Sequence, residues 1–151
     1  MAATLSLRPG SVEDLPQVAD VMIGARRAAH PAMPPLARPE VEVRRWVAAW
    51  DLTSVDLWVA EWDEEIVGFA SATPTWLDHL YVAPHHAGTG VGSALLALVQ
   101  AVRPEGVGLW VFETNLAARR FYARHGFAEL RRTDGSGNEE REPDIELSWR
   151  P

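Results

Sequence analysis

The residues able to do chemistry crowd into the stretch 78–127. Gly88-Thr-Gly-Val-Gly92-Ser93 sets three glycines at alternate positions, and an apolar run to Val102 follows at once. Glycine lets the backbone turn tightly and leaves no Cβ between the chain and a ligand. A helix starting there has N–H groups with no internal partner, and its dipole adds roughly half a positive charge. Such a start binds anions, phosphate above all, and Ser93 adds a hydroxyl donor. Further on, Arg119, Arg120 and Arg124 gather three guanidiniums that act at short range, although the chain as a whole carries a charge of −7. Asp78 and His79 are adjacent titratable groups on opposite faces of the preceding segment. His85 and His86 read as a solvated turn.

Composition narrows the anion. The 14 basic residues are all arginine, so a P-loop lysine and a Schiff-base lysine are absent. The dinucleotide fingerprint needs GxGxxG after a first strand; here the third glycine comes one residue early, after about four strands. A coenzyme A pyrophosphate is a third option, and the glycines alone do not separate it from the dinucleotide site or from a plain turn. There is no cysteine, which excludes disulfide frameworks, thiolate metal sites and a cysteine nucleophile; no metal is expected. The first residues do not read as a signal peptide, and no apolar run approaches the roughly 18 residues of a membrane span. Cytoplasmic location is the expectation. The acidic balance argues against nucleic acid as a partner, suits an amine-bearing one, and is also what solubility alone asks for.

The elements that must position these groups follow from patterning. Residues 4–8 alternate as a strand, broken by Pro9-Gly10. Ser11 and Asp14 stand in capping-box relation before a helix carrying Leu15, Val18, Ala19, Met22 and Ile23 at helical spacing to about Ala29. Three prolines make residues 30–35 a stiff loop. A second helix spans 40–50, and strands at 57–62 and 66–73 form a hairpin around Asp63-Glu64-Glu65. Residues 76–82 form a fourth strand. The helix after the glycines has Val91, Leu95, Leu98 and Val102 as its expected buried stripe. A strand at 107–112, a helix from Asn115 to His125 closed by Gly126, and strands at 127–132 and 144–149 complete the order. Residues 134–143 read as a solvated loop. The whole chain reads as one domain with α+β architecture.

Two blocks carry a resemblance. Leu80-Tyr-Val-Ala-Pro84 with the glycine segment is one; Asn115-Leu-Ala-Ala-Arg-Arg-Phe-Tyr-Ala-Arg-His-Gly-Phe127 is the other. Together they closely resemble the GNAT superfamily of acetyltransferases: a strand ending in V-x-P, then [QR]-x-x-G-x-[GA], then N-x-x-A-x-x-F-Y-x-x-x-G-F. The resemblance implies a mixed, mostly antiparallel sheet of six to seven strands with helices on both faces. Its parallel fourth and fifth strands splay to hold acetyl-CoA. It implies transfer of an acetyl group to a primary amine of a small molecule or peptide by direct attack.

Carried over residue by residue, Leu80 and Val82 would pair with the pantetheine arm. Ala87, Gly88, Thr89, Gly90, Val91, Gly92 and Ser93 would line the pyrophosphate, with help from Arg119 and Arg124. Asn115 would touch the cofactor, and Tyr122 would return a proton to the departing thiolate. Ala87 departs from the pattern, which has Gln or Arg there, so one side-chain contact is lost; His86 is a substitute. Asp78, His79, His30 and Glu61 are the options for the base. The acceptor is expected between the 30–36 loop, the strand at 57–62 and the last two strands, with Trp58, Trp62 and Trp76 as an aromatic wall. A non-catalytic acyl-CoA-binding module and a homodimer with tryptophans at its interface are the alternatives.

Overall fold

The computed structural model describes residues 4–151. Strand β1 (Leu5–Pro9) leads through a single 3-10 turn, Val12–Asp14, into helix α1 (Leu15–Ala29). The expected capping box forms, with the Ser11 N–H donating to the Asp14 carboxylate at 2.8 Å. Arg8 reaches the same carboxylate at 2.8 and 2.9 Å and also binds Glu61. One guanidinium thus ties β1 to the helix start and to the neighbouring strand, and it holds the Asp14 carboxyl down at about 2. Helix α2 (Glu40–Ala48) stops two residues before the expected end.

Strands β2 (Asp56–Trp62) and β3 (Glu65–Ala72) form the hairpin. Its two turn residues, Asp63 and Glu64, both have positive φ, which matches the twist of the flanking strands. Strand β4 (Leu77–Val82) completes an antiparallel four-stranded sheet in the order β1-β2-β3-β4. Helix α3 (Val91–Val102), strand β5 (Val107–Phe112), helix α4 (Leu116–Arg124) and strands β6 (Ala128–Thr133) and β7 (Asp144–Trp149) follow, and a second antiparallel sheet runs β5-β7-β6.

The core has two layers. On one face α1 and α2 cover Val59, Ile66 and Phe69. On the other, α3 packs on Val67, Leu109 and Ile145. Gly68 allows that approach, since a Cβ there would lie 2.9 Å from the Val91 side chain. The buried stripe of α3 is Val91, Leu95, Leu96 and Val99; Leu98 is half-buried and Val102 is exposed. The buried face of the helix is therefore rotated from the expected one, toward Leu96 and Val99.

Residues 134–143 are not the loose solvated segment expected. Asn138 donates to the Glu142 carbonyl at 2.8 Å and to Asp144 at 3.2 Å, and the loop sends Glu139 and Glu140 toward Arg38 and Arg26. No helix of the described residues is long and apolar enough to cross a membrane. Apart from a His85–Glu65 contact, every ion pair among the described residues is closed by a guanidinium.

Candidate functional site

The two sheets meet at one point. Trp76 and Gly108 form an isolated parallel bridge, and the Gly108 N–H donates to the Thr75 carbonyl at 3.0 Å. Trp76 lies on Gly108 so closely that a Cβ there would sit 2.5 Å from the indole. Beyond this joint β4 and β5 do not pair, so β4 has a free backbone edge that can accept an extended ligand. The opening is a cavity of about 510 Å³ walled by β4 and β5 and by Asn115, Ala118 and Tyr122 of the α4 region.

The glycine turn follows β4 in the chain, and a Cβ at Gly92 would lie 3.6 Å from the side chains of Val82 and Phe121. Gly88 and Gly90 have φ of 75° and 90°, values that disfavour residues with a Cβ. Nothing lies within 4 Å of where either Cβ would be. No side chain caps the start of α3, so the N–H groups of its first turn are open to an anion. Two N–H groups of the turn are already spent: Ala87 donates to the Pro84 carbonyl and Thr89 to that of His86. The Thr89 hydroxyl also donates to His86, at 2.5 Å. The Ser93 hydroxyl lies 3.3 Å from His125 Nε2. His86 packs against Trp62 and His85.

Helix α4 is placed by its cap, the Asn115 side chain accepting from the Ala118 N–H at 3.3 Å. Tyr122 packs between Phe121 and Phe127. Its hydroxyl makes no hydrogen bond with the described residues, and burial together with nearby Tyr81 pushes the phenol well above its ordinary range. Arg119 donates to the Glu113 carbonyl at 2.9 Å and stands 3.6 Å from Glu129. Arg120 and Arg124 are exposed.

A second cavity, of about 580 Å³, lies on the α1–α2 side of β4. Met22, Arg26, Trp46 and the 139–140 part of the β6–β7 loop line it, and His79 and Tyr81 line both this cavity and the cleft. His79 stacks on Trp50 and meets the edge of Trp46. Burial, with help from the Arg26 charge, brings its imidazole down to about 4, so it is neutral at pH 7. Asp78 points to the other face, and partial desolvation raises its carboxyl although the residue is largely solvent-facing.

The sequence model of the Acetyltransferase (GNAT) domain family matches residues 53–129. This chain belongs to that family. An uncharacterized N-acetyltransferase from Archaeoglobus fulgidus is 38% identical over 94 residues, which is 51% of this chain and 62% of that protein. The chain thus spans less than two thirds of that relative's length. Among solved structures, the apo form of YjaB from Escherichia coli superposes with a TM-score of 0.78 at 25% identity, covering 97% of both chains. A PaiA N-acetyltransferase from Thermoplasma acidophilum, solved with coenzyme A, gives 0.74 at 17% identity, covering 98% of this chain and 99% of that one; it speaks to the fold alone.

The donor of GNAT enzymes is acetyl-CoA, and three features suit it: an unpaired strand edge, an open glycine turn and an uncapped helix start. Some expected positions fall elsewhere. Glu61 is bound to Arg8 on β2 and lines neither cavity, and Trp58 and Trp62 also lie outside the second one. Trp76 sits at the joint. His30 lines a separate groove near the start of the α1–α2 loop. The aromatic residues lining the second cavity are instead Trp46, His79 and Tyr81, with Trp50 stacked behind His79. Arg26 gave one signal in the sequence, since it extends the apolar stripe Val18, Met22, Ile23 by one turn; a charged residue at a core position asks for a reason.

Proposed function

We propose that this GNAT chain transfers an acetyl group from acetyl-CoA to the primary amine of a small molecule or peptide by direct attack, as a single domain and in the cytoplasm. One observation carries the reading: His79 and Tyr81 of β4 line both the donor cleft and the second cavity, so an amine in one reaches a thioester in the other past a single strand. When bound, acetyl-CoA supplies an acyl group activated as a thioester.

The chain's own residues do the rest. The free N–H groups of Gly88, Gly90, Val91, Gly92 and Ser93 hold the pyrophosphate, with Arg124 near in sequence to Asn115 and Tyr122 as a further positive charge. Leu80 and Val82 offer backbone along the free edge of β4, and Asn115 keeps its amide N–H for the cleft while its oxygen caps α4. Arg119, already bound to the Glu113 carbonyl, helps chiefly by charge. Ala87 and Thr89 shape the turn. Tyr122 keeps its proton at every physiological pH and holds it beside the cleft for a departing thiolate.

The amine must lose a proton before attack, since an alkyl ammonium has a pKa near 10. His79 is neutral and lines both cavities, which favours it over Asp78 as the residue the proton passes; Asp78 lines the cleft only. A thiol-release assay with acetyl-CoA and a panel of amines tests the reading. Amine-dependent release supports it. Coenzyme A binding without release from any amine would identify a non-catalytic acyl-CoA-binding module.

A further inference from the structure

Arg26 is the only buried cation among the described residues, 7% exposed. It stands in the last turn of α1 and lines the second cavity beside Met22, Trp46 and Tyr81. Its Nη2 donates to the Pro34 carbonyl at 3.0 Å. The only carboxylate near it is that of Glu140, at 3.7 Å. Its Nε is fully buried and has no hydrogen-bond partner. The guanidinium is thus only partly satisfied, through Nη2, and a buried cation with a bare N–H is costly to keep unless a further partner pairs it. Its fork of donors matches a carboxylate in two parallel hydrogen bonds.

We propose that the second cavity selects acceptors that carry a carboxylate beside the amine, free amino acids with apolar side chains, and that Arg26 binds that carboxylate. This deepens the acceptor reading given above and rests on it. A phosphate dianion is disfavoured, because Glu139 and Glu140 face the same space. A zwitterion brings no net charge to a cavity lined by three guanidiniums (Arg26, Arg38, Arg45) and three carboxylates (Glu42, Glu139, Glu140). The apolar wall of Met22, Val43 and Trp46 suits an aliphatic or aromatic side chain. An internal peptide lysine or a peptide N-terminus has no carboxylate at this distance from its amine.

The test compares leucine and phenylalanine with their amides and with the matching amines that lack the carboxyl group. Each is assayed for thiol release and titrated by calorimetry against the intact protein. The expected result is a kcat/KM at least about tenfold higher for the acids than for amide or amine, lying mainly in KM. Arg26→Gln should bring the three within about threefold, with partial recovery in Arg26→Lys. Wild-type protein that turns over amides and amines as well as acids overturns the proposal and leaves acetyl transfer standing; this outcome needs no variant to fold. If no amine is acetylated but acids alone bind, and binding is lost in Arg26→Gln, the carboxylate site stands and the transfer reading falls. Acids that neither bind nor react overturn the site.

Discussion

The imidazole of His79 lies nearly parallel to the indole of Trp50, with centroids 5.4 Å apart and planes 10° from parallel. Trp46 closes the box from the side. Burial, helped by the Arg26 charge, explains why this histidine, at the wall between two cavities, stays uncharged down to a pH of about 4. An unfolded histidine takes up its proton near pH 6.5. Between those values the unfolded chain binds a proton that the folded chain refuses, so stability rises with pH across the window and is lost on acidification. Urea unfolding of wild type between pH 7 and 4.5 should show a loss on the order of 2 kcal/mol that His79→Phe does not share. Equal losses in the two proteins would place the titration elsewhere.

Tyr122 offers a kinetic separation. Its ring is held by Phe121 and Phe127, and the phenylalanine variant keeps both contacts. Tyr122→Phe should lower kcat about tenfold or more while coenzyme A affinity stays within a few-fold. Because burial raises the phenol, the wild-type rate should show no alkaline fall near pH 10 from this group. Unchanged turnover in the variant removes Tyr122 from the reaction.

Ala87 marks a place where the protein can be improved. It is exposed, and its N–H is spent on Pro84. An arginine there restores the side chain that the GNAT pattern carries. Ala87→Arg should tighten coenzyme A about tenfold at low ionic strength, less in high salt, and change stability by under about 0.5 kcal/mol. Calorimetric titration at two salt concentrations reads both effects.

Gly108 is a test of the joint between the sheets. A methyl group there would collide with the Trp76 ring. Gly108→Ala should therefore cost about 1–3 kcal/mol in urea unfolding, the range expected for overpacking. The same change made at Gly137, where a Cβ meets nothing within 4 Å, should be nearly neutral.

The donor half of the site was open to reading because its signals are local. The glycines, the Asn115 cap and Tyr122 fall in two short blocks, and β7 begins and ends where alternation placed it, at Asp144 and Trp149. The second cavity is built by pairings across the chain. Arg38 meets Glu139 and Arg26 meets Glu140 over more than a hundred residues. Nothing local distinguishes those glutamates from a solvated run, so residues 134–143 read as loose. The tryptophans misled for a related reason. Trp58 and Trp62 share a strand face and look like a wall, yet it is Trp46 on α2 and Trp50 just past its end that reach His79, some thirty residues on in the chain.

The absence of lysine from the ion pairs of the described residues has a chemical consequence in a family whose donor is a thioester. Once deprotonated, a lysine amine is itself an acyl acceptor, and each such residue near the donor would slowly gather an amide. Arginine, with a pKa above 12, offers no such nucleophile at any working pH. The charge pattern that ties Arg8 to Asp14 and Arg103 to Asp56 is thus inert toward the donor. Repeated exposure to activated acetyl groups leaves the network of side-chain charges as it was.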